Sequence, residues 1–158
     1  MSKSIKLKNN IYLDNRSIKN NYIQVANNQN ETISNEWQQL SLNSWSDGYG
    51  NALTLSNNRV YIGSGIKKVR VSGSIFCEGV GNIGYIWCIV RKNGIYEMAK
   101  PILSSTTYFN SLNIPPHTFE VYEGDYIDIL LNNPSFSTTS FSVRHGADNT
   151  WLLVEVIG

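Results

Sequence analysis

The stretch Tyr85-Ile-Trp-Cys-Ile-Val-Arg-Lys-Asn-Gly-Ile-Tyr-Glu-Met-Ala99 decides the fold class. An Asn-Gly pair between two apolar runs supplies the two positive φ angles that a two-residue type I′ turn requires. The stretch therefore reads as a hairpin, with Gly84 to Lys92 running up to Asn93-Gly94 and Ile95 to Ala99 returning. Upstream, Lys67 to Cys77 alternates: Val69, Val71, Ile75 and Cys77 share one face, and Arg70, Ser72 and Ser74 the other. That period of two belongs to a strand with one buried side.

The same pattern continues outward in both directions. Ile127, Ile129 and Leu131 alternate with Tyr126 and Asp128 in Tyr126 to Leu131, and Glu123-Gly124-Asp125 turns His117 to Tyr122 into that strand. Asp125 is expected to cap this turn and Asp128 to face solvent or a neighbouring subunit. Further strands are expected at Trp37 to Leu42, Ala52 to Leu55, Tyr108 to Leu112, Ser140 to Val143 and Trp151 to Ile157. Gly79-Val-Gly-Asn82 reads as a turn, and Pro115-Pro116 and Pro134 read as lying between strands, where a missing N–H does no harm. No dozen residues carry apolar positions at helical spacing free of Gly, Pro or Asn. About ten short antiparallel strands separated by turn signals make an all-β sandwich or barrel.

With 158 residues the chain fits one domain with a real core. Residues 1–35 differ from the rest: Ile5, Leu7, Ile11, Leu13 and Ile18 are scattered among Lys and Asn, and 20–35 is strongly polar. They read as an N-terminal arm or first strands leading into a globular unit over 36–158. Two segments, Tyr85 to Val90 and Trp151 to Ile157, are apolar on both faces. A lone two-layer sandwich would expose one of those faces, so self-association is expected, with Tyr85, Trp87, Trp151 and Leu153 as interface residues.

Composition narrows the partners. The net charge is +1 with 16% charged residues, which excludes the basic footprint that nucleic-acid binding needs. No apolar run is long enough to span a bilayer, and Met1 to Lys8 lacks the apolar core of a secretory signal. The expectation is a protein made without such an export signal and with no membrane partner. Polar character falls on Asn, Ser and Thr, giving a neutral surface rich in hydrogen-bonding groups that suits a sugar partner. Cys77 and Cys88 are too few for a disulfide scaffold; buried free thiols are the favoured reading, a cross-strand bridge the alternative.

No catalytic set emerges, and the chain reads as a binding module, not an enzyme. Only His117 and His145 are available as bases; His117 reads as a loop residue and His145 as part of the polar loop Arg144-His-Gly-Ala-Asp148. The carboxylates Asp47, Glu97, Glu120, Asp125 and Asp128 are scattered and unpaired, against a glycosidase. Zinc and EF-hand spacings are missing, so no metal or cofactor is expected, with Asp47 to Asn51 the one loop that invites a calcium reading. Gly63-Ser64-Gly65 opens no helix and reads as a turn, not a phosphate cradle. Sugar sites join aromatic faces to amides and carboxylates on loops held by a rigid scaffold. Three clusters carry that inventory: Trp45, Asp47, Tyr49 and Asn51; Tyr108 and Asn110, with Phe109; and Arg144, His145 and Asp148, with Asn149. Trp37, Trp87 and Trp151 read as core or subunit contacts.

Several segments resemble known proteins. Ser4-Ile-Lys-Leu-Lys-Asn-Asn-Ile-Tyr-Leu-Asp14 resembles the opening of tail proteins in phages and prophages of low-GC Gram-positive hosts. Val121-Tyr-Glu-Gly-Asp-Tyr-Ile-Asp-Ile-Leu130 and Thr150-Trp-Leu-Leu-Val-Glu-Val-Ile157 resemble the Gly-Asp strand and the last strand of C1q and tumour-necrosis-factor (TNF) jelly rolls. Asn58-Arg-Val-Tyr-Ile-Gly63 and Lys67-Lys-Val-Arg-Val-Ser-Gly73 are similar to the strand pair that precedes them in phage versions. The resemblance implies a jelly-roll head over 36–158 that forms a homotrimer, sits in a virion at a tail tip or fibre alongside other tail proteins, and recognises a bacterial surface saccharide. The alternatives are a structural tail component without a host ligand and a wall depolymerase. No heptad or Gly-X-Y stalk is present.

Overall fold

The computed structural model describes residues 21–34, 36–78, 85–103, 109–132 and 141–158, with side chains except at 85, 96–103 and 109–110. Among them are β1 (Tyr22–Ala26), β2 (Glu31–Ile33), β3 (Gln38–Gln39), β4 (Ser44–Tyr49), β5 (Leu53–Ser56), β6 (Arg59–Ile62) and β7 (Lys68–Glu78). The chain continues through β8 (Tyr85–Lys92), β9 (Ile95–Leu103), β10 (Phe109–Glu120), β11 (Tyr126–Asn132), β12 (Phe141–Val143) and β13 (Trp151–Val156). Residues 1–20, the Gly79 to Asn82 turn, Pro134 and Tyr108 lie outside the described residues, as do the side chains of Tyr85 and Asn110.

The strands form two antiparallel sheets. The first runs β2-β12-β7-β13-β1-β4, with β10 on the other edge of β7; the second runs β5-β6-β11-β8-β9, with β3 also on β11. Strands distant in sequence lie side by side, as a jelly roll requires. The alternating residues close between the sheets: Val69, Val71, Ile75 and Cys77 from β7, Leu152 and Val154 from β13, Ile127, Ile129 and Leu131 from β11, and Ile86, Cys88 and Val90 from β8 are all buried. The part of the segment expected as an arm or first strands that is described contributes strands: β1 lies between β13 and β4, and β2 pairs β12.

Turn chemistry follows the sequence. Asn93 and Gly94 have φ of 53° and 77° and join Lys92 to Ile95 across the β8–β9 hairpin. Asn57 and Asn58, at 50° and 61°, make the same turn between β5 and β6. Asp125 caps its turn through Oδ2, which accepts the Tyr122 N–H at 2.9 Å.

Four expectations need correction. Pro115-Pro116 and His117 lie inside β10, because a register shift between Ile114 and His117 carries the two prolines through as a bulge. Trp37 is 44% exposed and precedes β3, so of its two readings, core or subunit contact, the core one fails. Asp128 faces neither solvent nor another subunit: it is fully buried under Arg91. Fourth, the outer apolar face of β8 is partly satisfied within the chain, since Ile89 and its cross-strand neighbour Leu130 are both buried. What stays half-buried is Trp151 and Leu153 on the first sheet and Trp87 on the second.

No disulfide joins Cys77 and Cys88, and both are buried. Burial pushes the Cys77 thiol from an ordinary 9.0 up to about 12. A folded-state pKa above the unfolded one gives stability that is complete below about pH 9 and lost as pH rises toward 12. Over that window the unfolding free energy should fall up to ~1.4 kcal/mol per pH unit more steeply than in Cys77→Ala, as read by urea titration at each pH. Iodoacetamide at neutral pH should leave both thiols unmodified until the protein is unfolded.

Candidate functional site

β4 forms an edge of the first sheet, and its sequence Ser44-Trp-Ser-Asp-Gly-Tyr49 is polar or aromatic on both sides, so little of it enters the core. Trp45 and Tyr49 are 60% and 57% exposed. Asp47 stands between them, where its Oδ2 accepts the Tyr22 hydroxyl at 3.1 Å and its Oδ1 accepts the Gly48 N–H at 2.8 Å. Hydrogen bonding to that carboxylate raises the Tyr22 pKa. Three of the first cluster's side chains thus lie on an exposed strand, not on a loop. A strand fixes their spacing better than a loop would.

After Tyr49 the chain crosses to the second sheet through Gly50-Asn51-Ala52, and a cleft of about 700 Å³ opens there. Tyr49, Asn21 and Asn51 supply a ring and two amides to its lining, and Gly63-Ser64-Gly65 supplies peptide groups and a hydroxyl. The Gly63 N–H donates to the Ala52 carbonyl at 2.8 Å, which ties the two loops together. No lining residue is charged. A second hollow of about 420 Å³ shares Gly65 and Ile66 but carries Lys67, Lys68, Glu120 and Glu123.

Gly50 shapes the first cleft. It holds φ of 84°, and a Cβ there would fall 1.4 Å from Asn21 Oδ1. Gly50→Ala should therefore cost ~1–3 kcal/mol in urea unfolding, from left-handed strain plus displacement of the buried Asn21 side chain.

The third cluster lies elsewhere. β1 carries the chain from Asn21 at the cleft to Asn27 near the 144–149 loop, a separation of about 20 Å at strand rise. Arg144, His145 and Asn149 are engaged internally. Arg144 pairs with Glu78 at 2.6 Å, the Gly146 N–H donates to the Asn27 carbonyl at 2.9 Å, and the His145 N–H donates to Asn30 Oδ1 at 3.0 Å. The His145 ring Nδ1 also lies 2.9 Å from that oxygen, while Asp148 is exposed. The first and third clusters therefore do not form one site. Among the described residues, no three His, Cys, Asp or Glu side chains group to hold a metal.

No protein-family model and no curated protein matches the chain by sequence. Solved structures match it by shape. Murine APRIL at pH 5.0, a TNF-family protein, superposes with a TM-score of 0.68 at 10% identity, over 87% of this chain and 99% of that one. The PRD1 vertex protein P5 superposes with a TM-score of 0.64 at 11% identity, over 88% of this chain and 98% of that one. The fold is a TNF-like jelly roll.

Within that jelly roll the sequence singled out Tyr49 and Asn51 but missed Asn21 and turned away from Gly63-Ser64-Gly65. Those residues enter the cleft because β1 and the β5–β6 hairpin bring them beside β4. Their signal in sequence is faint: one Asn in an Asn-rich stretch, and a Gly-Ser-Gly that any turn could use.

Proposed function

We propose that this TNF-like jelly roll is a non-catalytic adhesion head of a phage particle, and that the cleft beside β4 holds a neutral surface saccharide. The observation that carries the reading is the uncharged lining, in which an exposed tyrosine ring stands beside two amides and a run of peptide groups. A ring face packs against the C–H face of a pyranose, and amides bond its hydroxyls. The shape likeness to a phage vertex protein is consistent with a virion role. The test is retention of the purified protein on walls from a panel of Gram-positive hosts, with free sugars as competitors. Saturable, sugar-competed retention on some walls is expected; no retention on any would overturn the reading, and release of reducing ends would make the chain a depolymerase.

The head is also proposed to self-associate through the outer face of the first sheet. Trp151 and Leu153 stand there half-buried beside the short side chains of Ser72 and Ser74. An apolar strip flanked by small residues fits a flat partner surface. Light scattering should give three times the 17.8 kDa chain mass. A monomer mass would remove this part of the reading.

A further inference from the structure

The outer face of the second sheet carries a charge cluster that the cleft does not use. Asp128, in mid-strand on β11, is fully buried although it points away from the core. Arg91 on β8 grips it with two bonds, Nε to Oδ1 at 2.8 Å and Nη2 to Oδ2 at 2.6 Å. Gln39 on β3 adds Nε2 to Oδ2 at 3.3 Å. One carboxylate is thus satisfied by one guanidinium and an amide.

A second guanidinium stands beside it. Arg59 on β6 comes no nearer to Asp128 than 3.6 Å, beyond hydrogen-bond length, and its side chain is 33% exposed. Its plane is held over the Tyr126 ring, 4.3 Å from the centroid, and Tyr61 lies 5.7 Å from the same ring. A hydrogen bond with Tyr61 favours the charged form of Arg59, partial burial opposes it, and the Asp128 carboxylate adds support. The Arg59 Nε–H is buried and meets no acceptor among the described residues. Among the described residues two cations share one anion, so these three side chains hold a net positive charge with donors to spare.

We propose that Arg59, laid on Tyr126 beside the Arg91–Asp128 pair, is a binding point for an oxyanion, a phosphate or carboxylate group borne by a ligand of this face. Guanidinium geometry matches two oxygens of such a group, and stacking on an aromatic ring fixes the fork before the ligand arrives. Asp128 shapes the site by immobilising Arg91 and leaving Arg59 only the longer 3.6 Å ion-pair contact. This inference does not rest on the saccharide cleft, which lies at the end of the sandwich and carries no charge.

The test is nitrogen-15 NMR of the whole chain, following the Arg59 Nε–H signal, assigned by its loss in Arg59→Lys. Sodium phosphate and sodium glucuronate are titrated in separate arms, against sodium chloride at matched ionic strength. A saturable shift with phosphate, with glucuronate or with both is expected, and the responding arm names the group. Arg59→Gln should weaken binding, read from the Tyr61 and Tyr126 amides, about tenfold or more. Arg59→Lys, which keeps the charge and is the safer variant for folding, should fall between. Tyr49→Ala should leave the response intact even if wall retention is lost. An Arg59 signal unmoved by both anions, or moved equally by chloride, would overturn the proposal and leave the cluster a purely structural ion pair.

Discussion

Arg91→Ala is expected to lower the free energy of unfolding by ~3–5 kcal/mol, because it strands a carboxylate that has no access to water. Both close bonds to Asp128 come from Arg91, and after its removal only Gln39 at 3.3 Å and Arg59 at 3.6 Å would remain. Arg91→Lys retains charge but not the two-pronged geometry, so its loss should be smaller, about 1–2 kcal/mol. Urea midpoints for the two variants check the ordering. A loss below about 1 kcal/mol in the alanine variant would mean that Asp128 finds water or another cation.

Phe141→Ala is expected to cost a similar ~3–5 kcal/mol, for a different reason. Phe141 heads the largest fully buried side chains and enters the core from β12, opposite Ile33 of β2. Truncation leaves a cavity at the junction where β12 bridges β2 to β7, and two short strands have little means of closing it. Phe141→Leu, which keeps most of the volume, should cost under about 1.5 kcal/mol. Tyr122→Ala, at a side chain that is 74% exposed, should change stability by no more than about 0.5 kcal/mol. Calorimetric or urea unfolding of the three variants separates core packing from surface loss.

The hairpin at Asn93-Gly94 and the faces of β7 and β11 were legible in sequence because local chemistry dictates them: a pair that tolerates positive φ, and strict alternation against one core. β4 was not legible. Its residues contact the core on neither side, so an edge strand made of them looks like a loop until β1 is seen to pair with it. The passage of β10 through Pro115-Pro116 was hidden likewise, since only the partner strand reveals the bulge. Asp128 was placed correctly on the outer face and wrongly against water or a neighbouring subunit: alternation gives the side of the sheet, but Arg91 is 37 residues away in sequence and covers it only through the β8–β11 register. The candidate site divides in the same manner. Tyr49 and Asn51 carry recognisable side chains, whereas Asn21 and the Gly63 to Gly65 backbone join them only through the β1–β4 and β5–β6 pairings.

The most direct measurement of the central claim is wall retention of the intact chain compared with Tyr49→Ala and Asn51→Ala, on the host wall that holds the parent protein. Both side chains are exposed, so the variants should keep the parent's melting behaviour and mass. The account predicts that each weakens retention about tenfold, the loss of one well-placed contact at a small site. Unchanged retention by both variants would contradict it and move saccharide recognition away from the cleft beside β4.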